Sequence, residues 1–134
     1  ATLFWPFFNM EPQWAGVTIH EIVANVDAGG IVHQCVPELL RGDGIHDASA
    51  RAVLEGGNAM LQILELFQRR GKLNTTTQKA AGRQYLAAHF RPEHLRVIYD
   101  LFDNKMIDAY LDGVLQPHPV KLMQPNLADF RAVP

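Results

Sequence analysis

Six histidines and one cysteine are the side chains in this sequence suited to proton transfer, nucleophilic attack or metal ligation. Their spacing works against each role. His20-Glu21 begins like the HExxH helix of a zinc protease, in which two histidines one turn apart face a single metal. The completing position is Ala24, so the motif fails. His33 and Cys35 lie two apart and supply too few ligands for a closed zinc site. His89 and His94 are separated by Arg91-Pro92, and a proline pushes the residue before it out of helical geometry, so the two rings do not share a helix face. His46-Asp47 follows Gly42-Asp43-Gly44 without the ligand spacing of a calcium loop; a turn followed by a helix cap accounts for these residues.

Nucleophilic chemistry fares no better. Cys35 has apolar neighbours, which favour a buried and inert thiol. Ser49 is the only serine and has no GxSxG context. No glycine-rich phosphate loop is present, and Arg41-Gly42-Asp43 spells an adhesion tripeptide of a kind that arises often by chance. The expectation is a non-enzymatic protein with no metal, no cofactor and no small-molecule substrate. A small histidine-dependent enzyme is one alternative, and a pocket gathering His20, His33, His46 or His89 would support it.

Charge is the stronger signal. The net charge is −2, yet residues 1–68 sum to −6, residues 69–96 to +6 and residues 97–134 to −2. The basic block holds Arg69, Arg70, Lys72, Lys79, Arg83, Arg91 and Arg96. Lys79 and Arg83 are one turn apart on an expected helix that starts at Thr75, and a helix N-terminus beside cations suits phosphate. Two partners follow: the acidic half of the same protein through ion pairs, or a nucleic-acid backbone contacted without sequence specificity.

The elements that would position these residues are read as helices. "VTIHEIVANVDAGG" carries Ile19, Ile22, Val23 and Val26 at helical spacing, with Thr18 and Glu21 as a capping box and Gly29-Gly30 as the stop. "IVHQCV" fits a short strand or a helix, and "PELLR" a helical turn. The longest helix runs from the cap Asp47 to Arg70 before Gly71, with Val53, Leu54, Gly57, Met60, Leu61, Leu64 and Phe67 as its buried stripe. The adjacent Gly56-Gly57 would then mark a bend or the close approach of another backbone. Further helices are expected from Thr75 and from Pro92, the last continuing or restarting at Asp103 and ending at Gly113. No sustained alternation appears, so the expected class is all-α: a compact bundle of four to five helices flanked by extended, apolar N- and C-terminal arms.

Those arms are residues 1–16 and 114–134, around a core domain of residues 17–113. Five of the twelve aromatic residues (Phe4, Trp5, Phe7, Phe8 and Trp14) fall within the first fourteen positions, broken by Pro6 and Pro12. The last segment holds four prolines together with Leu122, Met123 and Phe130. Apolar arms need a groove, either on their own fold or on a neighbouring copy, because soluble monomers seldom expose large apolar patches. The sequence therefore reads as a structural, self-assembling subunit of the viral coat or nucleocapsid type, a homo-oligomer or filament. Its arms would exchange between copies, and its basic segment could hold nucleic acid. An adaptor or accessory subunit of a heteromeric complex is the alternative from another class.

With 134 residues, 48% hydrophobic and 19% charged, one domain can bury a sufficient core unaided. A lone cysteine forms no intramolecular disulfide. No apolar run reaches the length of a membrane span, and the opening residues lack the basic region of a signal peptide. The expected location is a virion or the cytoplasm, without a membrane partner.

Overall fold

A computed structural model describes residues 3–78, 83 and 85–130. The first element, α1 (Phe4–Phe8), is a single helical segment of five residues. Pro6 is tolerated because it lies in the first turn, where backbone amides have no helical partner. A 3-10 turn at Pro12–Trp14 follows.

The next residues form an antiparallel hairpin, β1 (Val17–His20) and β2 (Ile31–Cys35). Val17 pairs with Cys35, Thr18 with Gln34 and Ile19 with His33, and a bulge follows Ile19. Three β-branched residues in a row at Val17, Thr18 and Ile19 are at home in a pleated strand and stiff in a helix. The expected helix over 17–30 is thus replaced by a strand and a loop. Thr18, expected as a helix cap, instead accepts a cross-strand hydrogen bond from the Gln34 side chain at 3.1 Å. The helical spacing of Ile22, Val23 and Val26 is not used, and all three lie exposed on the connecting loop.

The dominant element is α2 (Ile45–Arg70), 26 residues long. Gly44 occupies the cap position, and Asp47 accepts its amide at 2.9 Å. At the other end Gly71 takes the left-handed conformation, φ 70°, that closes a helix cheaply only without a side chain. Beyond it the chain runs extended. Thr76 exchanges two backbone bonds of 2.8 Å with Ile31 on the free edge of β2, so no helix starts at Thr75.

After 3-10 turns at Ala87–His89 and Pro92–His94 and a π turn at Val97–Leu101 comes α3 (Met106–Leu111). Asp103 and Asn104, both at positive φ, make the break before α3, and Gly113 at φ 74° follows its end. The last described element is α4 (Leu127–Phe130).

The all-α bundle of four to five helices is therefore corrected: one long helix packs with a two-stranded sheet, and the other helical segments span one or two turns. The extended N-terminal arm is corrected with it. Phe4, Trp5 and Phe7 are buried in a core cluster with Ile45, Ala48, Ile98, Met106 and Ile107. Trp5 stacks on Tyr85 with centroids 4.2 Å apart, and Phe4 meets Phe90 edge-on at 5.1 Å. Burying so much aromatic area in cis offsets the entropy of ordering the segment.

The later segment is held mainly by polar contacts. Asn126, 1% exposed, accepts the Asn74 amide at 2.9 Å and donates to the carbonyls of Asn74 and Val32 at 2.9 and 3.2 Å. Gln34 ties down Met123 and Gln124, and Asp129 pairs with Arg70.

Candidate assembly surface

The side chains with catalytic potential do not converge. His33, buried on β2, leans on Phe130 at 5.3 Å, has no hydrogen-bond partner at Nδ1, and is pushed by burial below the ordinary histidine pKa. Burial, and then the Glu55 carboxylate, raise the Cys35 thiol, which makes it a poorer nucleophile at neutral pH. His46 meets the Tyr99 hydroxyl at 3.3 Å on the surface, and His20 lies 3.5 Å from Asp27. Among the described residues no three metal-ligating side chains come together. An open cleft of about 990 Å³ between α1 and the segment of Tyr85, Leu86 and Ala87 is lined by Trp5, Trp14, Tyr85, Glu11, Arg83 and His118 among others. It contains none of the four histidines whose gathering would mark an enzyme.

The basic segment is dispersed. Arg70 is paired with Asp129 and Arg96 with Asp100, at 2.7 and 2.8 Å. Arg69 is exposed near the end of α2, Lys72, Arg83 and Arg91 are exposed on irregular segments, and Lys79 lies outside the described residues. Arg83 lies outside any helix, and the expected helical pair with Lys79 falls on residues outside the described ones.

Of the residues expected at a subunit interface, Phe4, Trp5 and Phe7 are buried in the chain's own core. Phe8, Leu122 and Phe130 are half-buried, and Trp14 and Met123 are exposed. The larger exposed apolar surface lies elsewhere, on α2. Its core-facing side is Ala48, Ala52, Gly56, Ala59, Ile63 and Leu66. At Gly56 an added Cβ would lie 3.0 Å from Val17, so the hairpin rests directly on the helix backbone there.

The expected buried stripe is the one left outside. Val53, Leu54, Met60, Leu61, Leu64 and Phe67 are 59%, 68%, 39%, 63%, 54% and 49% exposed. Gly57 lies among them with nothing within 4 Å of where its Cβ would be. Val53, Gly57, Met60, Leu64 and Phe67 recur at alternating steps of four and three, the seam spacing of two helices packed side by side. The stripe from Val53 to Phe67 runs about 21 Å along the helix.

The ends of α2 are anchored, so the stripe is presented on a fixed rod. Arg51 grips Asp43 through two hydrogen bonds of 2.7 and 3.1 Å and also donates to the Glu38 carbonyl. That partner holds the Asp43 carboxyl below its ordinary range. Arg70 and Asp129 fasten the far end.

No helix among the described residues is long and apolar enough to cross a membrane. Comparison with protein-family models, with curated proteins and with solved structures finds no match to this chain.

Proposed function

We propose that this protein is a structural, self-assembling subunit whose association surface is the outer face of α2. The observation that carries the reading is the run of six large apolar side chains left 39–68% exposed along one side of an anchored helix. A helix apolar on two faces belongs inside a larger protein core or between subunits. This one is covered on one face only. Each such side chain contributes about 1.5 to 3 kcal/mol when fully buried, so leaving the stripe in water forgoes a large driving force.

Further exposed apolar side chains lie off α2. Ile22 and Val26, on the loop joining β1 to β2, are 98% and 88% exposed. A subunit with two separate apolar contact surfaces can build a filament or shell, as coat proteins in a virion or scaffolds in the cytoplasm do. The role is non-catalytic, in keeping with the dispersed histidines and the raised thiol.

Light scattering at rising protein concentration tests the proposal. The expected mass rises above 15.0 kDa for the native chain and stays at 15.0 kDa for Leu61→Glu/Leu64→Glu, with unchanged circular dichroism because both positions face outward. A native chain that stays monomeric at its highest soluble concentration overturns it. If the native mass rises only when a second protein is added, the heteromeric adaptor is the correct reading.

A further inference from the structure

The stripe on α2 also carries information about what lies on it. We infer that its occupant is α2 of a second copy, packed antiparallel across a two-fold axis; this rests on the reading of α2 as the association surface.

Size is the first argument. The seam is graded, with Ala50, Val53 and Gly57 in the first half and Met60, Leu64 and Phe67 in the second. In an antiparallel pair one register places Ala50 opposite Phe67, Val53 opposite Leu64 and Gly57 opposite Met60, small against large at every layer. The same register sets Leu54 beside Leu61. In a parallel pair Gly57 faces Gly57 and Phe67 faces Phe67, which leaves a hole at one layer and crowding at another. Gly57 then has a use that the fold of a single copy does not give it, since a methionine from the partner can lie against its bare backbone.

Charge is the second, independent argument. Asp47, Arg51, Glu65 and Arg69 run along one flank of the stripe. At about 100° per residue, Asp47 and Glu65 share one angular position, and Arg51 and Arg69 share another just beyond it. The antiparallel register that satisfies the seam brings Asp47 level with Arg69 and Arg51 level with Glu65, so charges of opposite sign lie at the same height on the two copies. In a parallel pair this charged flank would face the opposite flank of the other helix, where Gly56 and Ile63 are covered by that copy's own core, so the charges find no counterpart. Such patterns select orientation in paired helices. The opposite flank is occupied by the protein's own core through Gly56 and Ile63, so the partner must approach from the charged side.

Cross-linking tests the geometry. In a Cys35→Ser background, Val53→Cys and Leu64→Cys are made as separate proteins and oxidised alone or mixed. Residues 53 and 64 of opposite copies share a layer, whereas two copies of residue 53 are separated by about 16 Å along the axis, beyond the roughly 7 Å Cα limit of a disulfide. The mixture should give at least about tenfold more covalent dimer than either protein alone. Cross-linking of Val53→Cys alone at a comparable yield overturns the antiparallel arrangement. No cross-link in any sample, with scattering still reporting a dimer, overturns the pairing while the assembly function stands. A monomeric mass throughout overturns both.

Discussion

Replacing Gly56 and Gly57 by alanine, one at a time, separates the two faces of α2. Both lie inside the helix, so each substitution gains about 1 kcal/mol from the smaller entropy lost on folding. At Gly57 nothing lies within 4 Å of the new methyl group, and the whole gain is kept. At Gly56 the methyl group would sit 3.0 Å from Val17 Cγ1 and 3.1 Å from its Cβ. Carbon pairs prefer about 3.5–4.0 Å, so Val17 must retreat. Val17 is paired with Cys35 on β2, so it can give by the few tenths of an ångström required only if the hairpin shifts with it. Overpacking of this kind costs about 1–3 kcal/mol, which cancels or exceeds the gain. The two variants should therefore differ by at least about 1 kcal/mol, Gly57→Ala above its parent and Gly56→Ala at or below it. Both are made in a Leu61→Glu background, which keeps self-association from adding to apparent stability. Urea unfolding followed by circular dichroism reads the midpoints. Equal stabilisation at the two sites, or the reverse order, refutes the assignment of inner and outer faces.

Four further outcomes follow from the packing. Trp5→Ala, which removes the ring stacked on Tyr85, should lose about 3–5 kcal/mol in a denaturant titration, and deletion of residues 1–14 should unfold the chain instead of releasing a folded monomer. Asn126→Ala removes three hydrogen bonds from a buried site and should lose about 1–3 kcal/mol in the same titration. Because burial lowers the His33 pKa, the unfolded chain binds the proton more tightly. Stability should then be full above the ordinary value of 6.5 and fall as pH drops below it. Urea midpoints at about pH 7.5 and about pH 5.5 should differ more for the native chain than for His33→Gln.

Parts of this architecture were legible in the residues, and the misreadings have physical causes. The long helix, its end at Gly71 and the termination near Gly113 follow from propensity and glycine chemistry, whereas the residues leave open whether the chain breaks at Asp103. The hairpin was missed because Ile19, Ile22, Val23 and Val26 happen to match a helical period, while the strand signal is only the three β-branched residues from Val17. The outward side of α2 runs against the sequence expectation because its largest apolar residues are not the buried ones. The core accepts Ala48, Ala52, Gly56 and Ala59, since the hairpin needs small residues to come close. A run of alanines and glycine at steps of four and three on the opposite face was the available signal. The aromatic opening was read as extended because it holds two prolines, yet Pro6 lies where a helix tolerates one. The pairing of Asn126 with Asn74 and Val32 joins residues far apart in sequence, and no local pattern announces it.

Whether another copy lies over the outer face of α2 is read most directly by the reactivity of a thiol placed there. With Cys35→Ser as background, Leu61→Cys should react with a thiol reagent more slowly as protein concentration rises, while Gln116→Cys, on an exposed loop, should keep a constant rate. A rate at position 61 that is the same at every concentration would mean that the stripe stays open to water, and the account of this protein as a self-assembling subunit would be wrong.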